Sequence, residues 1–396
     1  MYKDTEEILS DIIKNIEISD TNFNKAVERY NAIGTWIKEG LEKKGYDANI
    51  YPQGSFALNT VISPCPENNE YDVDLVCEVK LDKKDVEPLT VLNLIGDRLK
   101  ENETYKGMLE KKAGISRCWT LKYADNAAGI GFHIDILPSI PENETTKISR
   151  GTPDAISIID NKAGVYTWTP SNPKGFIDWF ENKNTEFKNM LFNEATAIMN
   201  RAAHVDVEEI ERKSKRSPLR QTIKLLKNHR DKAFKDNKTF APKSILITTL
   251  ATHLYRKERD LSSAVYNILE GLSKYSSLMK EGFISNNTNM IYREADGTWV
   301  VKNPALSTEN FIEDWGKSSN SEYAKAFFNW VSSLKYDLER IMNQPNKTEL
   351  INKSFNMKSA VFRDITERPL RTPSITTHQS QPWGCLLYTS PSPRDA

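Results

Sequence analysis

The apolar positions along the chain change period twice. Leu9, Ile12, Ile13 and Ile16 recur at i, i+3, i+4 and i+7, the stripe of an amphipathic helix, and a second helical stretch over 23–44 follows a polar break. Gly45 ends it, with Lys43 and Lys44 in the final turn, where the helix dipole favours cations. From Tyr46 to about Phe180 the apolar runs shorten, and residues 71–79, 118–123 and 130–137 read as strands. The polar bend 124–129 predicts a hairpin between the last two, and a helix over about 88–99 separates them from the first. Strands interleaved with helices in this order predict a mixed sheet with helices on one face. From about 182 to 343 the pattern is mostly helical. Ser217 can cap a helix whose first turn holds Pro218, and Tyr323, Phe327, Trp330, Val331, Leu334 and Leu338 form one stripe. Residues 291–301 interrupt this lobe with a hairpin expected to turn at Asp296-Gly297.

A length of 396 residues implies two or three domains and a core that needs no disulfide or metal staples. The expected division is 1–45 for N-terminal helices packing on the core and 46–185 for a sheet lobe. A helical lobe over 186–345 and an extension over 346–396 complete it. The extension carries no charged side chain between Thr372 and Pro393, a linker-like composition. Its end, GCLLYTSPSPRDA, has no amphipathic period and reads as a non-native addition, which mass spectrometry of the native product is expected not to find.

The charge content adds one local feature. Lys and Arg, 54 in all, balance 54 Asp and Glu, so any basic site must be a concentration within a neutral protein. Between Arg212 and Lys238 eleven Lys or Arg face two Asp, a local charge of +9. On the helix starting near Pro218, Leu219, Ile223 and Leu226 share one face, and Arg220, Lys224 and Lys227 share another about a quarter-turn away. A solvated face is the usual explanation of such a run. The competing reading is that these cations meet an anion: a nucleotide, an acidic protein activator or a polynucleotide. Cys65, Cys77, Cys118 and Cys385 form no CxxC pair and no zinc-like spacing, which fits a reduced, cytoplasmic chain. The charged N-terminus lacks the apolar core of a signal peptide, and the most apolar uncharged run, 244–255, is too short to span a bilayer. No membrane association is expected.

The chemistry centres on carboxylates. Asp72 and Asp74 lie two residues apart in a strand-like run, so both project from one face while Tyr71, Val73 and Leu75 enter the other. Adjacent carboxylates in a dry site repel unless a cation lies between them, and an oxygen-only donor set suits Mg²⁺ or Mn²⁺. Asp135, flanked by Ile134 and Ile136, repeats the arrangement. Alone, a D-x-D is more often a solvated strand face. Here it follows Gln53-Gly54-Ser55, where a glycine lets backbone amides approach a phosphate and a serine adds a donor. Aromatic residues near 166–168 and 176–180 are core more often than platforms for a base, and His133 reads as structural or exposed.

Gly54-Ser55, Asp72-Val73-Asp74 and Ile134-Asp135-Ile136 resemble the signature of the polymerase-beta-type nucleotidyltransferases. QGSFALNT, EYDVDLV, FHIDILPSIP, SNPKGFIDWF, LLKNHRD, PKSILITTL and NPALSTENFIEDW are similar, in order, to the bacterial cyclic-oligonucleotide synthases related to cyclic GMP-AMP synthase. Asn59 departs from the glycine of many relatives, but Asn also tolerates left-handed backbone angles. The resemblance implies an α+β fold, a nucleotidyltransferase lobe with a mixed sheet beside a helical lobe, with the active site in the cleft. It implies two Mg²⁺, or Mn²⁺, on Asp72, Asp74 and Asp135, and nucleotide contacts from Gln53, Gly54, Ser55, Lys227 and Ser244. The implied product is a cyclic di- or trinucleotide made from ATP- or GTP-type triphosphates for anti-phage signalling, acting on a separate effector. The rivals are a linear oligonucleotide synthase or a transferase acting on RNA, protein or a small molecule, and a silent nucleotide- or RNA-binding sensor.

Overall fold

The structure, a computed structural model, describes residues 2–64, 70–110, 117–123, 131–145, 147, 151–162, 164–184, 217–279, 290–319 and 321–357. Two helices open the chain, α1 (Tyr2–Ile16) and α2 (Asp20–Lys43). Ser19 caps the second, its hydroxyl accepting from the Asn22 amide at 3.2 Å. Next come β1 (Ala48–Gln53), α3 (Gly54–Ala57), β2 (Glu70–Val79), α4 (Pro88–Lys100), α5 (Glu103–Met108), β3 (Trp119–Tyr123), β4 (Gly131–Pro141), β5 (Ile156–Lys162) and β6 (Val165–Ser171). The sheet runs β1-β2-β4-β5-β6, and β3 also pairs with β4. β2 and β4 are parallel and the other pairs antiparallel, so the sheet is mixed. β3 and β4 pair as the expected hairpin does, while its connecting bend lies outside the described residues.

The remaining helices are α6 (Pro173–Lys183), α7 (Pro218–Ala233), α8 (Ser244–Leu254), α9 (Leu261–Lys274), α10 (Glu322–Asn343) and α11 (Lys347–Ser354). Between α9 and α10, β7 (Tyr292–Arg293) pairs with β8 (Trp299–Val300), and β9 (Lys302–Asn303) with β10 (Leu306–Asn310). The first pair turns at Asp296-Gly297, with Gly297 at φ +88°. None of the described helices is long and apolar enough to cross a membrane. The tail after residue 357, with its uncharged stretch, lies outside the described residues.

Two apolar cores organise these elements into the α+β fold. Alternate residues of β2 and β4, Val73, Leu75, Cys77, Ile134 and Ile136, are buried against α2 and α4. The other core joins α1, α6, α7, α8, α9, α10 and α11. α1 and α2 thus part company: Leu9, Ile12, Ile13 and Ile16 pack among the C-terminal helices, while Phe23, Ile33 and Ile37 pack under the sheet. Glu6 reinforces this from α1 by accepting from the Leu261 and Ser262 amides at the start of α9, at 3.0 and 2.7 Å.

The basic helix α7 is not a solvated face. Leu219, Ile223 and Leu226 lie in the helical core, and Arg220, Lys224 and Lys227 are buried too, at 3, 2 and 6% exposure. A buried cation requires a partner. Arg220 donates to both carboxylate oxygens of Glu181 at 2.7 Å, and Lys224 to Glu17 at 2.7 Å. Neither is therefore displayed for an acidic activator or a polynucleotide. The aromatic residues resolve toward packing as well. Phe180 is fully buried, Phe176 packs against Trp179 and Phe311, and the Trp168 indole donates to the Val86 carbonyl at 3.2 Å.

Candidate active site

The β2–β4 register sets Asp74 beside Asp135 and Asp72 beside His133. Asp74 also faces Gln53 across β1, and Asp135 faces Thr120 across β3. One row over four strands therefore reads Gln53, Asp74, Asp135, Thr120. Paired strands stand about 4.8 Å apart, so the third acid is an immediate neighbour of the second. Because Val73, Leu75, Ile134 and Ile136 fill the core beneath, all three carboxylates emerge on the opposite face.

The turn above this row is fitted to it. Gly54 begins α3 with φ +65°, and a Cβ there would stand 2.1 Å from Asp74 Oδ2. Glycine is thus required twice over, by the backbone angle and by the approach of the carboxylate. Asn59, at the exit of the turn, adopts φ +52°, the left-handed conformation that asparagine tolerates.

Gly54, Ser55, Asp72, Asp74, Lys227 and Ser244 line one cavity of about 580 Å³, with Arg230, Asp231, Lys235 and Lys238 on its helical side. Asp135 stands one strand behind Asp74 and is not among the lining residues. Gln53 lines an adjoining cavity of about 390 Å³, which shares Gly54 and Asp74 with the first and continues to Asn172, Asn303 and Glu309. Across from the carboxylates, Lys227 Nζ donates to the Thr60 carbonyl at 3.0 Å. Ser244, the first residue of α8, accepts from Arg230 Nη1 at 3.2 Å.

Charge is unevenly settled here. Burial, then the neighbouring charges of Asp72 and Asp135, push the Asp74 carboxyl up to about 7. Burial, then the nearby Arg230, bring the Lys227 ammonium down to about 8. His133 Nε2 stands 2.6 Å from Asp72 Oδ1, and that hydrogen bond raises the imidazole to about 9, so at neutral pH it is a cation donating to Asp72. Thr120 Oγ1 donates a short hydrogen bond to Asp135 Oδ1. Among the described residues no three His, Cys, Asp or Glu side chains stand close enough to enclose a metal by themselves, and Asp72 is turned onto His133. The donor set nevertheless fits a hard divalent cation: oxygen ligands, crowded negative charge, and one carboxyl raised by burial and by its two acidic neighbours.

Sequence reading missed Thr120, Arg230 and the part His133 takes. For His133 a signal existed, since it lies two residues before Asp135 on one strand and so shares its face.

Comparison with known proteins gives this geometry a lineage. Residues 4–184 match the Second Messenger Oligonucleotide or Dinucleotide Synthetase domain. The chain is 28% identical over 331 residues to a c-di-GMP synthase of Roseivirga ehrenbergii, covering 83% of this chain and 77% of that one. It is 26% identical over 330 residues to the cyclic dinucleotide synthase CdnG of Bradyrhizobium diazoefficiens, covering 79% of this chain and 70% of the relative. The solved structure of that CdnG, a CD-NTase in complex with GTP, superposes with a TM-score of 0.63 over 89% of this chain and 96% of the other, at 22% identity. The complex of E. coli CdnC with a HORMA protein superposes at 0.58 over 89% and 96%, at 12% identity, a likeness of fold alone. With the strand order and the carboxylates in place, residues 4–184 resemble that synthetase domain, and the chain as a whole is similar to the cyclic dinucleotide synthases and in fold to the CD-NTases.

Proposed function

We propose that this protein joins nucleoside triphosphates into a cyclic di- or trinucleotide, a second messenger of anti-phage signalling. The observation that carries the reading is that Asp72 and Asp74 face Lys227 and Ser244 across one cavity, with Asp135 directly beside Asp74 on the neighbouring strand. Asp72, Asp74 and Asp135 would hold two Mg²⁺, or Mn²⁺. Bound there, the metal supplies a lowered pKa for the attacking hydroxyl and counter-charge for the triphosphate.

This chain's own residues do the placing. Gly54 and Ser55 bring backbone amides and a hydroxyl to the phosphates, with Gln53 at the strand end beside them. Lys227 and Ser244 hold the triphosphate from the helical side, and Arg230 orients the serine hydroxyl. A ribose hydroxyl of one nucleotide then attacks the α-phosphorus of another. The new O–P bond forms as the α–β bridging P–O bond breaks, pyrophosphate leaves, and the hydroxyl proton passes to water or to a carboxylate of the row. A second such step closes the ring of a dinucleotide.

GTP is the first substrate to try, since the Roseivirga relative is named a c-di-GMP synthase and the Bradyrhizobium structure holds GTP. The cytoplasm, where these triphosphates are, is the expected compartment. The HORMA complex of CdnC suggests a protein regulator, and the product would act on a separate effector. The full chain, incubated with labelled GTP and ATP singly and together plus Mg²⁺ or Mn²⁺, should release pyrophosphate. Its product should resist both phosphatase and exonuclease. A product that either enzyme degrades makes this a linear synthase. Nucleotide binding without pyrophosphate release makes it a silent sensor.

A further inference from the structure

Of the three buried cations Arg220, Lys224 and Lys227 of α7, only Lys227 lines the cavity with Asp72 and Asp74. Arg220, two turns away, is tied to the Gly54-Ser55 turn by another route. Its Nε donates to the Leu58 carbonyl at 2.9 Å while Nη2 donates to both oxygens of Glu181. Leu58 is the C-cap residue of α3, and its side chain is buried among the apolar residues of the helical lobe. Two residues on, the Thr60 carbonyl accepts from Lys227. Between these two carbonyls lies Asn59 in its left-handed conformation.

That arrangement grips the turn at the place where it would otherwise re-aim. A left-handed residue joins two stretches of backbone whose relative direction is set by one pair of angles. Here both flanking carbonyls are fastened to one rigid helix by charge-assisted hydrogen bonds, the stronger kind. Glu181 does for Arg220 what orienting groups do elsewhere: it fixes the plane of the guanidinium, so that Nε is aimed at Leu58.

We propose that Arg220, oriented by Glu181, is a positioning residue for nucleotidyl transfer. Through the Leu58 carbonyl it fixes the Gly54-Ser55 turn over the carboxylate row without touching nucleotide. The proposal rests on the nucleotidyltransferase reading above, but its test includes a measurement that does not. Replacing both partners by apolar residues of similar volume, Arg220→Met with Glu181→Leu, removes the fastening and leaves no unpaired buried charge. Such a variant should fold with little change in Tm. The Leu58, Asn59 and Thr60 amides bond to the carbonyls of Gly54, Phe56 and Ser55. Their hydrogen exchange should quicken at least about tenfold. In turnover, kcat should fall at least about tenfold while the KM for triphosphate moves far less, because the loss is of alignment rather than of a nucleotide contact. Arg220→Lys keeps one ion pair but not the fork, and should fall between. It also serves as the readout if the double variant does not fold. Unchanged exchange with unchanged kcat, or a raised KM with kcat intact, overturns the proposal. If the wild-type protein releases no pyrophosphate, the transferase reading fails, while the exchange rates still judge the fastening.

Discussion

The two walls of the cleft carry opposite charges and settle them differently. On the helical side, Arg220 and Lys224, buried behind the cavity, are each matched by a carboxylate within the protein, and Lys227, on the wall itself, by a carbonyl. On the sheet wall, Asp72 has His133 and Asp135 has Thr120, but Asp74 stands between two like charges with its carboxyl raised to about 7. The difference separates scaffold from site. Where the protein neutralises its own charge, the side chains hold lobes together. Where it leaves a carboxylate unbalanced, the missing charge is expected from a ligand.

Neutralising the sheet wall tests this most severely. Asp72→Asn with Asp74→Asn keeps size and shape, and should cut pyrophosphate release by a factor of about 10²–10³ or more. Retained turnover would remove the row from the chemistry. On the helical side, Glu17→Ala strands Lys224 in the interior and should cost about 3 kcal/mol in urea unfolding. Glu17→Leu with Lys224→Met should cost much less, and equal losses would mean that the pair is not what matters. Lys227 belongs to both walls' business, and Lys227→Met should raise the KM for triphosphate about ten- to a hundredfold. An unchanged KM would return it to the scaffold class.

The smallest effect concerns pH. Folded, Asp74 keeps its proton up to about pH 7, whereas its ordinary value is 3.8. A raised carboxyl contributes stability that is complete below about pH 4 and is lost as pH rises through 7. Without metal, Asp74→Asn should therefore raise Tm at pH 8 by about 2–4 °C and change little at pH 4. Added Mg²⁺ should stabilise the wild type at pH 8 more than the variant. A lower Tm for the variant at pH 8 would show that Asp74 is already neutralised by the protein.

What could be read in the sequence was local. Strand alternation placed Asp72 and Asp74 on one face, the cap at Ser217 fixed the start of α7, and Gly54 and Asn59 carried backbone angles that few other residues accept. What could not be read depended on distant partners. Glu181 lies 39 residues from Arg220, and Glu17 lies 207 from Lys224, so a run of cations that folding buries looks solvated. The departure of α1 from α2 has the same origin, because both stripes are apolar and neither names its partner. Thr120 became visible only through the β3–β4 register, and the bond from His133 to Asp72 only through that of β2 and β4.

The parallel pairing of β2 with β4 has a practical consequence for redesign. The spacing between Asp74 and Asp135 is inherited from a backbone ladder running unbroken from Glu70 beside Gly131 to Glu78 beside Ser139. No side-chain exchange can stretch that interval without tearing the sheet. Efforts to retune which ligands the enzyme accepts are best confined to the far rim, around Asn172, Asn303 and Glu309. Variation there is limited by Asn172, which caps α6, and by the buried Asn303, but it leaves the Asp74–Asp135 spacing anchored by main-chain bonds.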